Sequence, residues 1–132
     1  MINSDDLEAF GYYDGQGKPT HKTPMEMVEE YQSITKQVPS PSLYEVLMKE
    51  EFQEWLDAES GSLEELKEMA DLIYVTYGRA YAKGWDLGEA LRRVHKNNMG
   101  RMYQEDGTIK RREDGKIVKR PGYPKVSLGD LV

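Results

Sequence analysis

The chain has 132 residues, 38% hydrophobic and 32% charged, a formal net charge of −6 and no cysteine. That length suits one domain with a single core, the mixed composition excludes a disordered chain, and the missing thiols exclude a disulfide framework or a thiolate zinc site. No apolar run approaches the ~20 residues of a membrane helix, and Met1–Asp6 lacks the basic-then-apolar pattern of a secretory signal, so a cytoplasmic protein with no membrane partner is expected.

The charge is uneven. Residues 1–103 carry 11 Lys/Arg against 19 Asp/Glu, while residues 104–132 carry 7 against 5. An acidic body disfavours nucleic acid as a partner, because a duplex needs a basic face to neutralise its phosphates. A cation held by carboxylates still presents positive charge to a small phosphate ligand.

In chain order, Gly11–Thr23 is rich in Gly, Tyr and Pro and reads as a loop or arm. Four capping patterns follow: Thr23 with Glu26, Ser42 with Glu45, Ser62 with Glu65, and Asp86 with Glu89. In each, the first side chain accepts from the N3 amide and the Glu reaches back to the cap's own amide, satisfying donors that a new helix leaves open. They predict helices over 24–37, 43–59, 63–83 and 87–103. Pro24 supports the first start, and Pro39 with Pro41, Gly61 and Gly84 supply the stops.

The short loops predict antiparallel neighbours, so the expected fold is all-α, an antiparallel four-helix bundle. The third helix is apolar nearly all round, more than one protomer covers, which favours self-association. Beyond the bundle, Asp114-Gly115 between Thr108–Arg112 and Lys116–Arg120 signals a short hairpin, and Pro121, Gly122 and Pro124 stop further regular structure. The domain thus reads as an N-terminal arm (1–22), a helical core (23–103) and a basic tail (104–132).

Some carboxylates sit where apolar residues belong. At 100° per residue the second helix groups Leu43, Tyr44, Leu47, Met48, Trp55 and Ala58 on one face, with Glu51 near its middle, Glu54 beside it and Glu50 at the edge. On the third helix Asp71 is the only charge between Met69 and Tyr77, and Glu68 stands one turn before it; Gly78 and Ala82 continue the stripe and leave room beside the carboxylates. A single ExxE is ordinarily a pair of solvated charges. Two inward-facing acidic pairs on consecutive helices repel unless neutralised, and a hard divalent cation with oxygen preference does that. The missing Cys and the position of His95 argue against zinc.

The motif Glu50-Glu51-Phe52-Gln53-Glu54, then 13 residues, then Glu68-Met69-Ala70-Asp71, resembles the ExxE/ExxD hallmark of the MazG-like, all-α nucleoside triphosphate pyrophosphatase superfamily. Val94-His95-Lys96-Asn97-Asn98-Met99 and the tail from Asp114 to Tyr123 are similar to its phosphoribosyl-ATP pyrophosphohydrolase-like branch. The resemblance implies hydrolysis of a nucleoside triphosphate between the α and β phosphates, by a homodimer or homotetramer whose sites are completed by neighbouring chains. It implies Mg2+, with Mn2+ as a substitute, held by Glu51, Glu54, Glu68 and Asp71. Glu50 becomes the candidate for a further ligand or for the base that orients the attacking water. Lys83, Lys96, Asn98 and Arg101 become candidates for substrate contacts.

Each has a blander reading: a solvated glutamate for Glu50, a helix-dipole partner for Lys83, surface polar groups for the rest. Trp55, Tyr74, Tyr77, Tyr81 and Trp85 fit core or subunit packing better than base stacking. Two other readings share the fold, a phosphoribosyl-ATP pyrophosphohydrolase and a nucleotide- or alarmone-binding regulator with little turnover.

Overall fold

The computed structural model describes residues 22–36 and 40–132. The arm assigned to 1–22 lies outside these except for Lys22, and Pro39 lies outside them too. Among the described residues there are four α-helices and no strand: α1 (Pro24–Thr35), α2 (Pro41–Asp57), α3 (Leu63–Lys83) and α4 (Leu87–Arg101), with a terminal 3₁₀ turn at Gly129–Leu131. The all-α expectation holds. The chain forms two compact units, one ending at Gly84 and carrying α1–α3, the other spanning Trp85–Val132. No helix among the described residues is long and apolar enough to cross a membrane.

Three of the four predicted caps form. Thr23 accepts from the Glu26 amide at 3.2 Å and Glu26 answers from the Thr23 amide at 3.0 Å, a complete box. Ser62 accepts from Glu65 N at 3.1 Å, but Glu65 reaches the Gly61 amide at 2.9 Å and the Trp55 indole at 3.1 Å instead of the cap's own amide. Asp86 accepts from Glu89 N at 2.9 Å, and Glu89 turns outward to Arg92 and Arg93.

The Ser42 cap is corrected. Ser40 caps α2, accepting from Leu43 N at 3.1 Å, and Pro41 begins the helix rather than ending the one before. The physical reason is that proline has no N–H to leave unpaired and its fixed φ suits the first helical position. Glu45, released from the box, pairs with Lys49 at 3.4 Å. Helices α1, α2 and α4 each end two residues earlier than expected, with Lys36 left-handed at φ 52° closing α1. Gly84, left-handed at φ 72°, closes α3 as anticipated.

In the first unit α2 and α3 run antiparallel, fixed at both ends. Trp55 Nε1 donates to Glu65 near the connecting turn, while at the opposite end Arg79 Nη1 donates to the Pro41 carbonyl at 2.5 Å. The Tyr44 ring lies on Gly78, where a Cβ would overlap the ring. Gly78 therefore makes room for Tyr44, not for space beside the carboxylates. Helix α1 packs on α3 through the buried Val28 and an edge-to-face pair between Tyr31 and Tyr74, centroids 6.1 Å apart.

In the second unit the expected hairpin is reduced to one bridge, Arg111 with Ile117, around a turn at Gly115 (φ 86°). The tail is tied to α4: Arg93 grips Asp130 through both guanidinium nitrogens at 2.6 and 2.9 Å, and Asn97 donates to the Pro124 carbonyl at 2.9 Å.

Candidate metal centre

Antiparallel packing sets the middle of α2 against the first half of α3, which brings acidic side chains from both helices together. One carboxylate oxygen each from Glu51, Glu68 and Asp71 lies within 4.8 Å of the others. Glu68 is only 5% exposed, and Glu51 and Asp71 are half-buried. Glu51 Oε2 and Glu68 Oε2 are buried without a hydrogen-bond partner. Orphaned anionic oxygens are costly in a protein interior, which makes them the main anomaly of the first unit.

Burial pushes the Glu51 carboxyl up to about 7, with the charge and carboxyl hydrogen bond of Glu54 next in importance, then the charges of Asp71 and Glu68. The cationic group at this cluster is Lys67, whose Nζ lies 2.7 Å from Asp71 Oδ2 and 3.4 Å from Glu68 Oε1. These bonds hold its ammonium above the ordinary lysine range.

The donor set fits a hard divalent cation. All three ligand candidates are oxygen donors, two of their oxygens lack any partner, and their mutual repulsion is relieved by a doubly charged ion. Glu54 is exposed and outside the 4.8 Å set, although it adjoins Glu51; Glu50 is exposed and also outside it. Lys83 is exposed in the last turn of α3. Lys96, Asn98 and Arg101 belong to the second unit, the first two exposed, with Arg101 Nη2 donating to Asn98 Oδ1 at 2.5 Å.

Glu51 and Asp71 also form part of the wall of a cavity of about 330 Å³ otherwise lined by Tyr31, Leu43, Tyr44, Leu47, Tyr74 and Val75. Tyr74, expected to serve packing, thus faces a cavity beside the acidic cluster, and Tyr31 was not among the sequence candidates at all. Its contribution comes from the packing of α1 on α3, which no local spacing encodes. Lys67 was missed as well, yet its position four residues before Asp71 is the standard spacing of a helical ion pair.

Glu51 of the ExxE, brought by antiparallel packing against Glu68 and Asp71 of the ExxD within an all-α fold, places the protein in the MazG-like, all-α nucleoside triphosphate pyrophosphatase superfamily. The chain belongs to the phosphoribosyl-ATP pyrophosphohydrolase family, whose model matches residues 19–98. Among solved structures it is similar to the MazG-like pyrophosphohydrolase of cyanophage S-2L, described as bound to dGDP and three catalytic Mn2+ ions per active site. That similarity covers 76% of this chain and 91% of the other, at 20% identity and a TM-score of 0.51, and it shows the shared fold. No curated protein matches the chain.

Proposed function

We propose that the protein is a Mg2+-dependent pyrophosphohydrolase that cleaves a nucleoside triphosphate between its α and β phosphates, releasing the monophosphate and pyrophosphate. The observation that carries this is the convergence of Glu51, Glu68 and Asp71, two of them with buried unpartnered oxygens, beside a tyrosine-lined cavity. Family membership makes the reaction a pyrophosphohydrolysis. The nucleoside triphosphate substrate, the choice of Mg2+ with Mn2+ as substitute, and nucleotide-pool control as the purpose are our reading.

On this reading Glu51, Glu68 and Asp71 hold the cation, with the adjoining Glu54 as a fourth ligand. Bound there, a divalent ion supplies charge neutralisation for the phosphates and a more acidic water. The exposed Glu50 orients and deprotonates the attacking water. The cavity beside Glu51 and Asp71 shelters the nucleoside, its tyrosine rings excluding water from the reacting end. Lys83, Lys96, Asn98 and Arg101 are assigned substrate contacts from the family resemblance.

Self-association into a dimer or tetramer is part of the proposal. Leu63 at 87% exposed and Leu66 at 65% exposed, with Ile73 on the same helix, support it. A second reading, phosphoribosyl-ATP as the substrate, is favoured by the description of the family that matches residues 19–98.

The test is pyrophosphate release with Mg2+ over NTPs, dNTPs, phosphoribosyl-ATP and ppGpp, with Asp71→Asn as control. Turnover of a nucleoside triphosphate is expected, falling about a hundredfold or more in the variant. Turnover of phosphoribosyl-ATP alone selects the second reading. No turnover of any substrate refutes the enzyme assignment, and turnover unchanged by Asp71→Asn refutes the metal set.

A further inference from the structure

Lys67 stands where the proposed cation has to act. Its ammonium lies 2.7 Å from Asp71 Oδ2 and 3.4 Å from Glu68 Oε1, so two of the three converging carboxylates are already engaged by a positive charge. We infer that Lys67 is a built-in counter-ion that competes with the divalent cation, which binds by displacing this ammonium from Glu68 and Asp71. The inference rests on the metal reading given above and adds a residue that sets how much metal the site requires.

Three features argue for displacement rather than coexistence. First, a lysine and a divalent ion sharing the same carboxylates repel at close range in a partly buried setting, where charges are weakly screened. Second, Lys67 leaves the job unfinished. It satisfies one oxygen on each of two acids, whereas Glu68 Oε2 and Glu51 Oε2 remain buried and unpartnered. A single positive charge reaching in from the exposed side leaves these buried oxygens unmet, and a small ion bound among the three carboxylates reaches them.

Third, Lys67 can leave. Its side chain is 64% exposed, against 7% for Glu68, so the long flexible stem swings into water without disturbing packing. Exchange therefore trades two exposed-side ion pairs for a doubly charged ion in contact with all three carboxylates. The lysine keeps the metal-free protein from carrying the whole repulsion and raises the cation concentration at which the site fills.

The test uses the full chain stripped with EDTA. Mn2+ binding is read by electron paramagnetic resonance of the free ion, alongside thermal melts with and without Mn2+, for wild type, Lys67→Met and Lys67→Arg. Lys67→Met is expected to bind Mn2+ about three- to tenfold tighter, the range set by the loss of one or two partly exposed ion pairs. It is also expected to show a larger Mn2+-induced rise in melting temperature, while Lys67→Arg stays within about twofold of wild type because the competing charge is retained.

Equal or weaker Mn2+ affinity in Lys67→Met overturns the inference and leaves the metal site standing. A Lys67→Arg variant as tight as Lys67→Met overturns it too, since charge would then not be the agent. Absence of Mn2+ binding in wild type and Lys67→Met alike overturns the metal reading and the inference together.

Discussion

Glu51→Gln separates what the acidic cluster costs from what it does. In the metal-free protein the Glu51 carboxyl is pushed from 4.5 to about 7, chiefly by burial and then by Glu54, Asp71 and Glu68. At about 1.4 kcal/mol for each tenfold change in proton affinity, that rise sets a ceiling of about 3–4 kcal/mol. Glu51 keeps part of its surface in solvent, and screening reduces the expected effect to about 1–2 kcal/mol. The folded-state value is raised, so both states hold the proton below about 4.5 and nothing is lost there. The penalty grows as pH rises from 4.5 to 7 and is complete above that.

Glutamine removes the titration while its amide donates to the neighbouring carboxylates. Thermal melts in EDTA should therefore show Glu51→Gln above wild type by about 3–8 °C at pH 8, with the gap much smaller at pH 5 and vanishing near pH 4. Saturating Mg2+ should reverse the order. A ligand at a hundred times its dissociation constant adds about 2.7 kcal/mol to the form that binds it, and only wild type keeps the full ligand set. A variant that melts below wild type at pH 8 without metal, or a gap that is the same at pH 5 and pH 8, refutes the reasoning.

Gly78→Ala tests the packing that holds the site. An alanine in a helix interior ordinarily stabilises by about 1 kcal/mol over glycine, but here its Cβ meets the Tyr44 ring, and urea unfolding should show a net loss of about 1–3 kcal/mol. Ser62→Ala removes the oxygen that accepts from Glu65 N and should lower stability by about 1 kcal/mol in the same assay. Arg93→Ala breaks the two-pronged grip on Asp130 and the bond to the Ser127 carbonyl; hydrogen exchange at the Leu131 amide should speed up while α4 stays protected.

Helix starts were legible because capping is chemistry within four residues. At the second helix the box spacing points to Ser42, and it misses Ser40 because Pro41 reads as a stop rather than as the first helical residue. The acidic cluster was legible for a related reason. Asp71 is the only charge between Met69 and Tyr77 and Glu68 stands one turn before it, so both fall on the apolar stripe of α3, and Glu51 lies on the centre line of the apolar face of α2. Glu54, three residues on, is rotated by about 60° from Glu51, enough to bring it to the exposed edge. The tyrosine cavity was not legible, because Tyr31 comes from another helix and its meeting with Tyr74 is a tertiary event. The role of Gly78 was misread for the same cause: a missing side chain shows that something approaches, not what.

Like charges packed between two helices tend to push them apart, and the α2–α3 pair counters this at its ends rather than at the cluster. Near the connecting turn the Trp55 indole is bonded to Glu65; at the far end Tyr44 lies on Gly78 and Arg79 reaches the Pro41 carbonyl. The carboxylates lie between these fastenings, so the helices cannot splay locally without breaking one of them. Repulsion that would otherwise be relieved by movement is retained as unpartnered buried oxygens and a raised Glu51. On the metal reading proposed above, a site held in that condition is preorganised for a cation, because the helices need not move to admit it. Loosening either end should then weaken metal binding without touching a ligand, and Gly78→Ala, two turns from Asp71, is the substitution in which Mn2+ affinity and fold stability should fall together.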